Sequence, residues 1–434
     1  MRVPLLLLAI AALGCSSAQP APAPVAECGV DLPDTLTVSE GGRLTLPRTQ
    51  DMTYEGVGGV ELTLDETTVA LRAPYLANAE EGLGLHLGCG KTLPIELRTL
   101  AWTRLAEWEE KDGANAREYG AWWIDPQGAG ALIVFGGFHY VPKQFTPADD
   151  AWRFDFASGA WSALAGEGLP TLPGGRAAPI PGERAVLFFG GMAEKSDGTQ
   201  ETPPSLYRLD YDEARVTATK VEPLGDAVGS YTGSLIYDTK RKRWLSVCGL
   251  STATSTGLNC LVHSYVPGGG FTSVATQGRA PKGRYGFHYA YDEASDRVIL
   301  FGGQVGPENE AIDGETWALD LADDPPSWAR LFANGAGPTK RRNGAFAYDP
   351  IGHRLFVWGG TPDGRDSIPN IQALNLDRGA EAWTDIATPK EVPSRTSGIG
   401  IHDPARERLL FGFGNDDALY RDLWSLDLAN VSPR

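Results

Sequence analysis

Arginine and aspartate recur in this chain at a fixed distance. An arginine stands eight residues ahead of an aspartate in four places: Arg117 and Asp125, Arg284 and Asp292, Arg341 and Asp349, Arg395 and Asp403. Arg176 takes the matching place in a shortened copy of the pattern, and Ser230 takes it in another. A guanidinium is a planar fork of N–H donors that meets a carboxylate with two parallel hydrogen bonds. Five such groups around one opening would bind an anionic ligand. The alternative is that each bridges a carboxylate or carbonyl of a neighbouring repeat. Other chemistry finds little support. The six histidines, His86, His139, His263, His288, His353 and His402, form no close pair at metal-ligand spacing. The acidic pairs Asp149-Asp150, Asp323-Asp324 and Asp416-Asp417 lack the spacing of a calcium loop and read as solvated loop charge. There is no Gly-x-Ser-x-Gly elbow, His-Glu-x-x-His, phosphate loop or Cys-x-x-Cys zinc pattern. No catalytic residue, metal or cofactor is expected.

The elements that would position the arginines show as a repeat. An apolar run ending in two glycines recurs at residues 132–137, 186–191, 298–303 and 355–360, with degenerate copies at 245–249 and 409–414. The residues before the first glycine position are Phe135, Phe189, Val247, Phe301, Trp358 and Phe411, separated by 54, 58, 54, 57 and 53 residues. Upstream of most copies comes a Tyr-Asp-like pair and a polar turn, as at Tyr291-Asp292 and Tyr348-Asp349. Downstream lies a variable polar loop, then a strand of alternating large apolar residues such as Trp317, Leu319 and Leu321, then a strand opened by Trp161, Phe271, Trp328 or Trp383. Four antiparallel strands per repeat make one propeller blade.

The glycine doublet, the following tryptophan and the upstream Tyr-Asp pair resemble kelch repeats. The resemblance covers residues 101–429, about three quarters of the chain. It implies an all-β fold, a six-bladed kelch-type β-propeller over residues 101–430. The sixth copy ends at its third strand, while an orphan strand, residues 101–105, precedes the first copy. Pairing of 101–105 with 423–428 would shut the ring through the two ends of the repeat region. In eukaryotic kelch propellers, arginines at this position can line a pocket for acidic ligands. The copper-radical oxidases similar to galactose oxidase need two tyrosine and two histidine ligands and a Tyr–Cys cross-link, and the histidines here do not supply them. Sialic-acid epimerases are also kelch-like, but no motif of theirs is matched.

The N-terminus reads as an address. Residues 1–14 have the basic, apolar and small-residue regions of a signal peptide. Ala12-Leu13-Gly14-Cys15 resembles the lipobox of bacterial lipoproteins, which implies lipidation at Cys15; the alternative is ordinary cleavage near Ala18. Ser16 after the cysteine favours the outer membrane in the usual sorting rule. Residues 15–27 form a Pro/Ala-rich tether. Residues 28–100 read as short alternating strands, a small β-sandwich that resembles bacterial Ig-like modules. The remaining cysteines, Cys28, Cys89, Cys248 and Cys260, are even in number, as an exported chain with two disulfides would have. Pairing within units gives Cys28–Cys89 and Cys248–Cys260; the alternative for each is a buried free thiol.

The chain has 434 residues, 42% of them hydrophobic, and a net charge of −17. Such a surface repels phosphate backbones, so no nucleic acid is expected as a partner. Membrane contact is expected through the lipid anchor only. With no catalytic constellation in view, the expected function is a recognition or scaffold protein of the envelope, binding a protein or glycan at the propeller mouth. The alternatives are a carbohydrate-active enzyme of the kelch type, epimerase- or oxidase-like, with a site of scattered residues, and a purely structural envelope component.

Overall fold

The computed structural model describes residues 28, 32–75, 79–106, 116–141, 144–222, 224–254, 257–307, 311–335, 337–416 and 418–428. The signal peptide, Cys15 and the tether lie outside these residues. Among the described residues there are strands and turns but no helix.

Six four-stranded antiparallel blades form a β-propeller; the outer strands of the first two pair in parallel into one eight-stranded sheet, and Gln277–Gly278 adds a short parallel fifth strand to the fourth. The innermost strands of the first two blades are Ala121–Asp125 and Arg176–Pro179. Those of the other four are Ile236–Asp238, His288–Asp292, Ala345–Asp349 and Ile399–Asp403. Each second strand is buried along almost its whole length, as in Arg297–Phe301 and Arg354–Trp358, because both of its faces pack on other blades. The sixth blade takes its outer strand from the start of the repeat region: Ala101–Ala106 pairs antiparallel with Leu423–Asp427, and Trp102 lies opposite Leu426.

The glycine doublet is required where one blade meets the next. Gly190, Gly302 and Gly359 have φ of 75°, 71° and 66°, in the left-handed region. A Cβ on them would stand 2.2, 2.4 and 2.1 Å from the main-chain oxygens of Ser230, Arg341 and Arg395 in the following blade. The second glycine donates to that same oxygen, at 2.8, 2.9 and 2.8 Å for Gly191, Gly303 and Gly360. The third blade has Cys248 in the first-glycine position, with φ 53°, bonded to Cys260.

The aspartate of each Tyr-Asp pair is fully buried in its hairpin. Asp292, Asp349 and Asp403 pair with Arg297, Arg354 and Arg408 at 2.9, 2.8 and 2.9 Å. In the first blade the cation comes from the next blade, Arg184 bonding Asp125 at 2.8 Å.

Residues 36–98 form a four-stranded and a three-stranded sheet sharing one core, with Leu36, Val38, Leu71, Leu85 and Leu93 at its centre. Cys28 is bonded to Cys89 at the edge of that core. This small sandwich rests on the fifth blade. Arg72 donates to Asp377 at 2.8 Å and to the Gly352 carbonyl at 3.0 Å, and Arg354 donates to the Glu40 carbonyl at 2.6 Å. Between them His353 contacts Asp377 at 2.8 Å through Nδ1 and Asp292 at 2.7 Å through Nε2. Two carboxylate partners require both ring nitrogens to donate, so the ring is an imidazolium. Burial opposes this charge, but the bonds to Asp292 and Asp377 outweigh burial and raise His353 above its ordinary 6.5.

The sign of the linkage follows. A raised histidine pKa gives stability that is complete below about 6.5 and is lost as pH rises through the folded-state value. Burial raises Asp377, but His353 and Arg72 outweigh it and hold it well below the usual carboxylate range, so its share is lost only in strong acid. Melting of the chain from pH 6 to 9 is expected to show a falling Tm, and His353→Asn, which tolerates the left-handed φ of 56° at this position, is expected to shrink that fall to the share of Glu118, whose carboxyl, raised by burial to about 7, also ionises in this window. Parallel curves for the two proteins would refute the assignment.

Candidate functional site

Four of the five arginines singled out by spacing are structural clasps. Each lies ahead of its innermost strand, is at most 1% exposed, and reaches back to the end of the second strand of its own blade. Arg284 Nη1 donates to the Gly302 carbonyl at 2.8 Å and Nη2 to Asp313 at 3.0 Å. Arg341 meets the Gly359 carbonyl at 3.0 Å and Gln372 at 2.6 Å. Arg395 holds the Phe413 carbonyl at 2.8 Å and both oxygens of Asp422 at 2.6 and 2.9 Å. Arg117 holds the Gly136 carbonyl and both oxygens of Asp150, all at 3.0 Å. These bonds stay within one blade, whereas the structural one of the two sequence expectations has them bridging a neighbour.

Arg176 belongs to a different register. It pairs with Phe189, as Ala121 pairs with Phe135, His288 with Phe301 and Ala345 with Trp358. The clasp place in the second blade is therefore Leu172, four residues earlier. The second hairpin is shortened, so counting back along the chain from it lands on Arg176, four residues past the clasp place. Arg176 instead lines a cavity of about 120 Å³ on the propeller axis, with Trp122, Ala177, Tyr289, Phe346 and Ile401.

The residue after each clasp position lies between the clasp and the joint to the next blade, at the end where the innermost strands begin. These residues are Glu118, Pro173, Tyr231, Tyr285, Arg342 and Thr396. Several are held by main-chain bridges to the residue beyond the doublet, Tyr231 to Leu250, Tyr285 to Gln304, Arg342 to Thr361 and Thr396 to Asn415. The next residue along joins the blades to each other. The N–H of Gly174 donates to Tyr119, Thr232 to Gly174, Gly286 to Thr232, Asn343 to Gly286 and Ser397 to Asn343, at 2.9, 2.9, 3.1, 2.7 and 2.6 Å. All six of these residues have positive φ, between 47° and 76°. The result is a belt of backbone hydrogen bonds around the axis.

On this belt stands a row of aromatic rings. Tyr119, Tyr231 and Tyr285 follow one another at centroid distances of 5.6 and 6.3 Å, with Phe138 edge-on to Tyr119 at 6.3 Å. The Arg342 guanidinium lies 5.8 Å from the Tyr285 ring centroid and donates to its hydroxyl at 2.7 Å. The Tyr285 hydroxyl donates to the Gln304 side-chain oxygen at 2.8 Å, and Asn343 donates to the Tyr119 hydroxyl at 2.8 Å. Glu118, 7% exposed, accepts from Asn415. Burial raises its carboxyl to about 7, and burial with the nearby Glu118 pushes Tyr119 up to about 12. This end of the propeller thus gathers aromatic rings, amides that both donate and accept, one cation, and a carboxyl raised by burial to about 7, with Tyr231, Gln304 and Glu118 themselves buried. Residue type alone does not mark these positions; their signal in the sequence is that each directly follows a clasp position.

Residues 269–432 match the family model described as the KLHDC2/KLHL20/DRC7 Kelch-repeats domain. Among solved structures, the chain is similar to one titled "Structure of YjhT", at 14% identity and a TM-score of 0.53, over 72% of this chain and 95% of that one. Fold and match agree: this is a six-bladed β-propeller of the kelch type, preceded by a small β-sandwich.

Proposed function

We propose that this chain is an exported, lipid-anchored protein of the bacterial outer membrane whose propeller mouth recognises a glycan. The lipobox-like segment at Cys15, Ser16 after it and the Pro/Ala tether support the address. The observation that carries recognition is the row Tyr119, Tyr231 and Tyr285 beside Arg342, Gln304 and Asn343. Sugar rings present apolar C–H faces that lie on aromatic rings and hydroxyls that exchange hydrogen bonds with amides and guanidinium groups. A protein partner would use the same surface, and the test separates the two.

A second reading, a carbohydrate-active enzyme, is favoured by Glu118, whose carboxyl at about 7 suits proton transfer at neutral pH. Thermal unfolding of the purified chain against neutral sugars, acidic sugars and envelope proteins is the discriminating measurement. A bound ligand adds about 2.7 kcal/mol of stability at a hundredfold excess over Kd. Tyr285→Ala and Arg342→Ala are each expected to weaken sugar binding about tenfold or more. A sugar that binds unchanged identifies a recognition module. A sugar that is converted, with a pH limb near 7 that Glu118→Gln removes, identifies an enzyme. Stabilisation by an envelope protein and by no sugar would overturn the glycan.

A further inference from the structure

The cavity beneath the belt is a second place where this chain presents charge to a ligand, and its chemistry is simpler than that of the mouth. Its walls come from equivalent points of the innermost strands. Trp122, Ala177, Tyr289 and Phe346 pair with Val134, Phe188, Leu300 and Val357, each one residue into its strand. Their polar atoms are already matched. Trp122 donates to the Gly400 carbonyl at 2.9 Å. Neighbouring His288 uses Nδ1 on the Phe301 carbonyl and accepts the Gly344 N–H at Nε2, both at 3.1 Å, and burial holds it neutral with a pKa of about 3.

Arg176 is different. Its Nε donates to the Gly233 carbonyl at 3.2 Å. Among the described residues it has no carboxylate partner, and its two terminal nitrogens have no acceptor. The contrast within the molecule is sharp. Arg117, Arg284 and Arg395 each hold an aspartate, and Arg297, Arg354 and Arg408 each hold another. A guanidinium is always charged, and Arg176 is half-buried, so its terminal nitrogens are left to solvent that an anion could replace. In a protein of net charge −17, an inner cation without an anion is a place for one to bind.

We infer that the axial cavity binds a small monocarboxylate, its carboxylate on the two terminal nitrogens of Arg176 and its apolar body against Trp122, Tyr289 and Phe346. The fork of one guanidinium matches the two oxygens of one carboxylate. A phosphate would leave its further oxygens facing aromatic walls with no free donor. A cavity of 120 Å³ has room for about four waters at roughly 30 Å³ each, which suits a short aliphatic or single-ring acid. This site stands apart from the glycan reading of the mouth and does not depend on it.

The test is titration of the purified full chain with propionate, benzoate, inorganic phosphate and glucuronate, read by calorimetry and by melting. Benzoate or propionate is expected to bind and raise Tm. Arg176→Met is expected to weaken that binding about ten- to a hundredfold, the worth of a charge-assisted pair of hydrogen bonds. Ala177→Leu, which keeps the charge and fills the cavity, is expected to weaken it as well, so the result does not hang on one variant folding. Tyr285→Ala at the mouth is expected to leave it unchanged. The proposal fails if neither acid binds, if binding survives both Arg176→Met and Ala177→Leu, or if phosphate or glucuronate binds through Arg176 more tightly than benzoate.

Discussion

Deleting residues 101–106 is expected to abolish cooperative unfolding of the propeller. The strand Ala101–Ala106 is the outer strand of the sixth blade and, among the described residues, the only blade strand that comes from the other end of the repeat region. Trp102 packs between Trp358 and Phe411 at centroid distances of 6.3 and 5.9 Å and donates to the Ala387 carbonyl at 3.1 Å. Without this strand, Leu423–Asp427 becomes an open edge, and the tryptophan that seals the fifth-to-sixth blade core is lost. The loss includes one strand of ladder hydrogen bonds and a large, partly buried ring. It should exceed about 5 kcal/mol, a large share of the 5–15 kcal/mol that holds an ordinary domain together. Calorimetry of the deletion beside the full chain decides it. A transition as sharp and as high in the deletion would mean the ring closes by other contacts.

The second large effect is expected at the clasps. Arg395→Ala should destabilise the chain by about 3–5 kcal/mol, the typical result of removing one partner of a buried ion pair. Asp422, 6% exposed, would keep its charge with the fork gone, and the Phe413 carbonyl would lose its donor. The arginine also spans Trp358 and Tyr420 at 4.7 and 4.4 Å, so packing is lost as well. Arg395→Lys should recover part of the loss, since an ammonium restores the charge but not the fork. Urea unfolding of the two variants beside Arg176→Met separates clasp from ligand arginine: a deep loss in the first, a small one in the last. If Arg395→Ala were as stable as the natural chain, the ring of arginines would regain its reading as a binding feature.

The repeat was legible because its spacing is imposed by packing. A Cβ at Gly359 would stand 2.1 Å from a main-chain oxygen of the next blade, so glycine recurs wherever two blades meet. The disulfides were legible because each pair lies within one unit, and Cys28–Cys89 and Cys248–Cys260 are the pairs formed. The arginines were legible as a set, with a structural bridge as one of two expected roles, but their partners were not. Spacing along the chain cannot reveal that Arg284 has Asp313 in reach, since that aspartate arrives on a loop of variable length. It also placed Arg176 among the clasps, because the short second hairpin shifts strand register by four residues relative to Leu172. The mouth residues escaped notice for the opposite reason. Glu118, Tyr231, Tyr285 and Arg342 differ in type from blade to blade, and a search for sameness passes over them.

The belt that joins the blades is made of main chain alone, and this divides the labour among three consecutive residues. The first closes its own blade with a side chain, the third grips the next blade with its N–H and carbonyl, and the one between is tied to its own blade through its main chain. A change of side chain at Tyr231 or Tyr285 therefore alters what the mouth presents while the joints on either side stay made. In evolutionary terms, the six in-between positions are an alphabet mounted on a fixed frame. Selection can rewrite the ligand there one blade at a time, with each step drawing little on the stability of the fold.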